Sequence, residues 1–407
     1  MSSARPIQHA NLFFSFSQEG MVSNKMKWIG GTALVAGVAY ALFRYIRQSN
    51  DPQNQYNSGA SVNLTKNGSE SARVIERVEL NKSLVESILS ELDMKLIGNL
   101  EIPKEGRIAS NVIVSTNQGK YVIRLYPKDS QNTKLETGNV DFEVDALSYL
   151  AANHLPVPSP IVFKNRGKAI FEINGSKIFV YPVIPGRCIQ QSELSVEIAL
   201  RSAQLLSSMI RASEGFKPKV KSAPDGDVGY ILKIAEILVT RFPELKKSKE
   251  FEEMVVAVRN SNVEKRLMAT PKGIVHGDFF FENIIIDKDK SFSIIDFGDA
   301  YYGAILMDIV ISSMEFSVVS DGSWDLAMFQ ASLEPHREWL QKNAITFSLF
   351  YDLLIANCLR FSIYTLPNTL KQREQVSENP YVFRFNGLKN EVLKGKLQEV
   401  FNKTVKQ

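Results

Sequence analysis

Between Asn283 and Asp296 two short apolar runs, Ile284 to Ile286 and Phe292 to Ile295, flank a polar stretch from Asp287 to Ser291. Runs this short, rich in β-branched residues and split by turn-forming ones, fold as an antiparallel hairpin. If the hairpin centres on Asp289 and Lys290, then Asn283 before the first strand and Asp296 after the second become cross-strand neighbours. An amide oxygen and a carboxylate are then aimed at one point.

That pair suits a hard divalent cation. Magnesium takes oxygen ligands and keeps several waters, so one carboxylate, one amide oxygen and substrate phosphates complete its shell. Asn283 and Asp296 are therefore the candidate metal ligands. Asp278, in the run His276-Gly277-Asp278, lies far enough before Asn283 for a loop to set its carboxylate over the same pocket but off the metal, where it can accept a hydroxyl proton. Protein kinases order the same groups as a catalytic-loop Asp, an Asn and the metal-binding Asp of D-F-G, and Asp296-Phe297-Gly298 spells D-F-G literally. The bland alternative is a short turn followed by a strand cap.

H-G-D-x-x-x-x-N followed by I-D-F-G-D resembles the aminoglycoside phosphotransferase and choline kinase family, a kinase-like superfamily. The wording D-F-G-D-A-Y-Y-G is nearer its homoserine and hydroxylysine kinase branches. The resemblance implies an α+β, bilobal, protein-kinase-like fold with a small antiparallel-sheet N-lobe and a mainly helical C-lobe. It implies Asp278 as catalytic base, His276 shaping the loop, Asn283 and Asp296 on magnesium, and Asp308 as a structural residue. ATP is the implied donor and a small-molecule hydroxyl the acceptor, on an amino alcohol or a hydroxylated amino acid. Two other readings stay open: a kinase-like module that binds nucleotide or a partner without turnover, and an atypical protein kinase. The absence of an A-P-E segment speaks against the latter.

Upstream, a hairpin of Asn111 to Val114 and Tyr121 to Leu125 about Asn117, Gln118 and Gly119 is expected to cover the nucleotide. Gly106, Ser110 and Asn111 are the hints of a phosphate-covering loop. Where kinases carry a lysine, Y-V-I-R-L-Y places Arg124, whose planar fork holds phosphate bidentately but is not an equivalent point charge. Asp141 to Ala152 reads as a helix with Ala146, Leu147 and Leu150 on its apolar stripe and Glu143 one helical step earlier. Glu143 is expected to pair with Arg124, the alternative being a solvated first-turn acid favoured by the helix dipole. A strand from Ile178 to Tyr181 running into Pro182-Val183-Ile184-Pro185-Gly186 resembles the interlobe hinge, whose backbone near Tyr181 and Val183 reads adenine. Neither a Walker nor a dinucleotide glycine motif occurs.

From Leu194 onward the pattern is mainly helical. Phe279 to Phe281 form either an apolar substrate-facing rim or core. Glu315, Asp352, Asn357 and Arg360 are candidates for acceptor contact, or else solvated helix faces. A formal charge of +4 without a basic stripe excludes a nucleic-acid surface, and Cys188 and Cys358 lack metal or redox spacing.

The division expected along the chain is a leader at 1–27, a hydrophobic helix at 28–47, a flexible linker at 48–75, an N-lobe at 76–185 and a C-lobe at 186–402. Trp28 to Ile46 would span about 28 Å as a helix, just enough to cross a bilayer. A membrane anchor with the kinase domain on the cytosolic face is the leading reading. A mitochondrial presequence follows, since Glu19 is the one acid in the first fifty residues. A cleavable secretory signal is the third.

Overall fold

A computed structural model of the protein describes residues 63–64, 70–71, 80–102, 110–126, 140–220, 222, 228–319, 322–372 and 374–406. The expected leader and the 28–47 helix lie outside the described residues. Within the expected linker, Asn63–Leu64 pairs antiparallel with Glu70–Ser71.

Five antiparallel strands build the first lobe: β1 (Leu96–Glu101), β2 (Ser110–Thr116), β3 (Gly119–Tyr126), β4 (Phe171–Ile173) and β5 (Ser176–Pro182), in the order β1-β2-β3-β5-β4. Because strand side chains alternate faces, Val112, Val114, Ile123, Leu125, Ile178 and Val180 share one side. They bury against Val85, Ile88 and Leu89 of helix α1 (Lys82–Ser90). Asn81 caps that helix by accepting the Leu84 N–H at 2.9 Å. The residues in between, Arg124, Tyr126 and Phe179, take the opposite face, and Tyr126 and Phe179 join the core with Phe142 of helix α2 (Val140–Ala152).

Strand pairing relocates one expected feature. The β2–β3 ladder runs from Ser110↔Leu125, through Asn111↔Arg124, to Thr116↔Gly119, so the Asn117–Gln118 turn lies at the end away from Arg124. It is tied back by Lys95 N–H to Asn117 Oδ1 (2.7 Å) and Gln118 Nε2 to Asp93 O (2.9 Å). That turn therefore cannot cover a phosphate at Arg124. The connection from β1 to β2 leaves the sheet at the Arg124 end, and its residues 103–109, Gly106 included, lie outside the described residues.

The chain crosses to the second lobe through Val183 to Gly186, and β6 (Arg187–Cys188) then joins the sheet of the motif hairpin. Helices dominate from there: α3 (Val196–Ala212), α4 (Val228–Arg241), α5 (Lys249–Asn260), α6 (Val263–Met268), α7 (Leu306–Glu315), α8 (Leu326–Leu333), α9 (Arg337–Lys342), α10 (Phe347–Lys371), α11 (Pro380–Leu388) and α12 (Glu391–Lys406). All of α7 is buried. Among the described residues one stretch is long and apolar enough to cross a membrane, Phe347–Pro367 of α10, and 72% of its apolar window is buried inside the protein. It is the central helix of the lobe, which explains its apolar composition.

His336, just before α9, is 1% exposed and neither ring nitrogen has a partner among the described residues. Burial, then the Arg211 charge, pushes it down to about 3. The fold thus holds it neutral while the unfolded chain protonates it near pH 6.5, so its stability contribution is complete above that pH and is lost as pH falls toward 3. Urea denaturation should show a loss of about 1.4 kcal/mol for each pH unit between the two values, and His336→Leu should flatten that slope.

Candidate active site

The motif hairpin forms from β8 (Ile284–Ile286) and β9 (Phe292–Ile294), but its register is Ile284↔Ile294, one residue away from a centre between Asp289 and Lys290. Asp287 is the reason. Its carboxylate accepts the N–H groups of Asp289 and Ser291, both at 2.8 Å, and its carbonyl accepts the Lys290 N–H at 3.0 Å. These bonds set a three-residue loop closed by Lys290 at φ 61°. Asn283 O therefore takes the Ile295 N–H at 2.9 Å, which corrects the expected pairing with Asp296. Asp296 follows at φ 61°, ψ 65°, a left-handed conformation that aspartate tolerates better than most residues. The reversal swings its carboxylate into the cleft, with its side chain 53% exposed.

The loop His276-Gly277-Asp278 leaves β7 (Lys272–Val275). Asp308 near the start of α7 accepts the backbone N–H groups of His276 and Gly277 at 2.6 and 2.9 Å. Gly277 sits at φ 81°, where a Cβ would lie 2.6 Å from Asp299 O, so only glycine fits. His276 Nε2 meets Ile295 O at 2.9 Å, and Nδ1 accepts the Asp278 N–H at 3.2 Å, which defines a neutral, Nε2-protonated ring. Burial lowers its pKa to about 4 and preserves that state. With both nitrogens engaged, His276 braces the loop and does not exchange protons. Asn283 Nδ2 donates to Asp278 O (2.8 Å) and Asp278 Oδ2 (3.3 Å). Burial, then the Asp299 charge, pushes Asp278 well above the ordinary carboxylate range, with Arg360 opposing.

Across the cleft, Arg124 and Glu143 do come together, yet not simply as a pair. Arg124 Nε stands 3.6 Å from Glu143 while donating to Tyr126 Oη at 2.9 Å, and Tyr126 in turn donates to Glu143 at 2.5 Å. Arg124 Nη2 reaches Asp296 Oδ1 at 3.0 Å. The protein walls around the cleft partly desolvate the Asp296 carboxyl although half of the side chain is exposed, but Arg124 outweighs this and holds the group below its ordinary value. Glu143 is 2% exposed, which excludes a solvated first-turn acid. Tyr126 escaped the sequence reading although strand alternation already put it on the Arg124 face. Tyr126→Phe leaves a buried Glu143 oxygen without its donor and should lower unfolding free energy by about 1–3 kcal/mol in urea.

Other expectations divide. Tyr181 lines the same face, its phenol pushed up to about 12 first by burial, with Arg124 and Glu143 among its charged neighbours. The Val183 N–H is committed to Lys120 O at 2.9 Å, so that donor is not free to read a base. Phe279 and Phe281 are core, Phe279 facing His276 and Phe316, and only Phe280 is half-buried. Asp352 pairs with Arg266 of helix α6. Asn357 is fully buried and donates to Leu353 O. Arg360 donates to Gly277 O at 2.5 Å, and Glu315 pairs with Arg384, which sequence periodicity had not singled out.

Known proteins resemble the chain in sequence and in fold. The model of the phosphotransferase enzyme family matches residues 99–342. Homoserine kinase of Methylobacillus flagellatus is 26% identical over 251 residues, 61% of this chain and 73% of that protein. Homoserine kinase of Pseudomonas aeruginosa is 23% identical over 283 residues, 69% of this chain and 85% of that protein. Among solved structures, choline kinase LicA from Streptococcus pneumoniae superposes with TM-score 0.52 at 16% identity, covering 75% of this chain and 98% of its own. Amicoumacin kinase hAmiN in complex with AMP-PNP, Ca2+ and Ami gives 0.54 at 14% identity, covering 80% and 94%. The chain therefore belongs to the phosphotransferase enzyme family and is a small-molecule kinase, of bilobal protein-kinase-like fold, with an alcohol group as acceptor.

Proposed function

We propose that the protein transfers the γ-phosphate of ATP to a hydroxyl of a hydroxylated amino acid or an amino alcohol. The observation that carries this reading is the meeting of Asp278, Asn283 and Asp296 from one lobe with Arg124 from the other. Asp278 accepts the hydroxyl proton as the acceptor oxygen bonds to the γ-phosphorus and the bond to the β-phosphate oxygen breaks, releasing ADP. Its raised pKa makes it a stronger base than an exposed carboxylate. His276 and Asp308 hold the loop that aims it. Arg124, fixed by Tyr126 and Glu143, is placed to meet phosphate oxygens with its fork.

The residues fit a divalent cation. Asn283 spends its NH₂ on Asp278, which leaves its oxygen as the available donor, and the open Asp296 carboxylate adds a second hard oxygen. Together they would hold magnesium, whose charge offsets that of the phosphates when bound. The AMP-PNP and Ca2+ named in the amicoumacin kinase complex support nucleotide with a divalent ion, and the homoserine kinase relatives favour a hydroxylated amino acid. Val183's committed donor moves adenine recognition to other groups of the 181–186 segment.

Phosphorus NMR of the full chain with ATP, magnesium and a panel of hydroxylated amino acids and amino alcohols tests this. A new phosphomonoester resonance is expected. Nucleotide binding with no transfer to any acceptor would instead establish the binding-module reading. From the leader's composition we also propose anchoring through 28–47 with the kinase unit on the cytosolic face; recovery in the mitochondrial fraction would replace that reading.

A further inference from the structure

We infer that Glu315 and Arg384 form a subsite for a zwitterionic head group, in which the acceptor's ammonium meets the Glu315 carboxylate and its α-carboxylate meets the Arg384 guanidinium. This deepens the transferase reading above and rests on it. The two side chains are 4% and 8% exposed and joined at 2.5 Å. Such a pair is a weak stabiliser, because desolvating both charges costs about what their attraction returns and apolar side chains of similar volume would serve as well. A ligand explains the pair better than stability does.

The position suits an acceptor. Glu315 follows Asp308 by two turns of α7, on the same helix face and about 10 Å further along the axis. Asp308 holds the catalytic loop, so Glu315 lies one small molecule's length from it. Helix α10 closes the far wall, with Arg360 on Gly277 O and Cys358 Sγ 3.8 Å from Met314 Sδ. Tyr381 covers the pair, its ring 4.7 Å from the Arg384 guanidinium and stacked on Phe361 at 5.1 Å and 25°. Tyr381 and Phe361 are both partly exposed, so the pair is covered by side chains that themselves meet solvent.

The physics selects for both charges at once. A ligand bearing only an amine draws Glu315 away and strands a buried guanidinium, and one bearing only a carboxylate strands the glutamate. A zwitterion replaces each partner and leaves neither charge alone.

Steady-state kinetics of the full chain with L-homoserine, L-serine, ethanolamine, choline and 4-hydroxybutyrate tests the inference. Wild type should favour a hydroxylated amino acid over both the amino alcohols and the hydroxy acid. Glu315→Gln and Arg384→Met should each raise KM for that amino acid by roughly 10- to 100-fold, with KM for ATP unchanged. Arg384→Met should also bring the amino alcohols level with it. If those variants melt early in a thermal scan, Arg384→Lys keeps the charge without the fork and should still raise the amino-acid KM. Preference of wild type for an amino alcohol, or a parallel fall in kcat with every acceptor in the variants, would overturn the subsite while leaving the transferase reading intact. No transfer to any acceptor overturns that reading, and this inference with it.

Discussion

Asp278→Asn is expected to lower kcat by roughly 10²- to 10⁴-fold, the range a positioned general base contributes. Nucleotide affinity measured by calorimetry should stay close to wild type, because the side chain is tied to Asn283 and the proposed metal contacts come from Asn283 and Asp296 instead. The amide is isosteric and can still share a hydrogen bond with Asn283, so the loop held by Asp308 and His276 has no reason to move. Single-turnover phosphate transfer separates the two effects. A variant that retains wild-type turnover would remove Asp278 from the base role and point to the acceptor being deprotonated elsewhere.

Asp296→Asn is expected to cost roughly 10²- to 10³-fold in kcat/KM, the effect of deleting one group that stabilises transferred charge. Asparagine tolerates the left-handed backbone at this position as well as aspartate does, so the variant should fold. It still offers an oxygen to Arg124, but no longer a charge. The sign of the effect is therefore distinctive: magnesium affinity weakens, the magnesium dependence of activity shifts to higher concentration, and excess magnesium recovers part of the loss. Unchanged magnesium dependence would take Asp296 off the metal. Arg124 adds a second consequence, since in the structure it occupies one oxygen of the residue proposed to hold the ion. Arg124→Lys should alter nucleotide KM and magnesium dependence together, because the fork that reaches both Asp296 and Tyr126 is lost.

The hairpin shows where reading the chain succeeded and where it slipped. Its strands are written in Ile284 to Ile286 and Phe292 to Ile295, and alternation or branching needs no distant partner to be recognised. Its register depended on one carboxylate, Asp287, folding back on Asp289 and Ser291, which a hydrophobic pattern does not reveal. The consequence is a single-residue offset at Asn283, with Asp296 still delivered to the cleft by its own left-handed turn. Phe279 shows the reverse case. Its sequence neighbours permit either rim or core, and only packing against His276 and Phe316 decides for core.

By itself the sequence determined the order and chemical type of Asp278, Asn283 and Asp296, the periods of the strands and helices around them, and hence the kind of reaction the chain can host. Those features are local: a motif's spacing and a side chain's period survive without knowledge of what packs against them. The tertiary structure decided the rest. Arg124 and Asp296 lie 172 positions apart, and Glu315 and Arg384 lie 69 apart. Which lone charges meet across such distances is set by how the lobes and helices pack, and by the requirement that every buried charge find a partner.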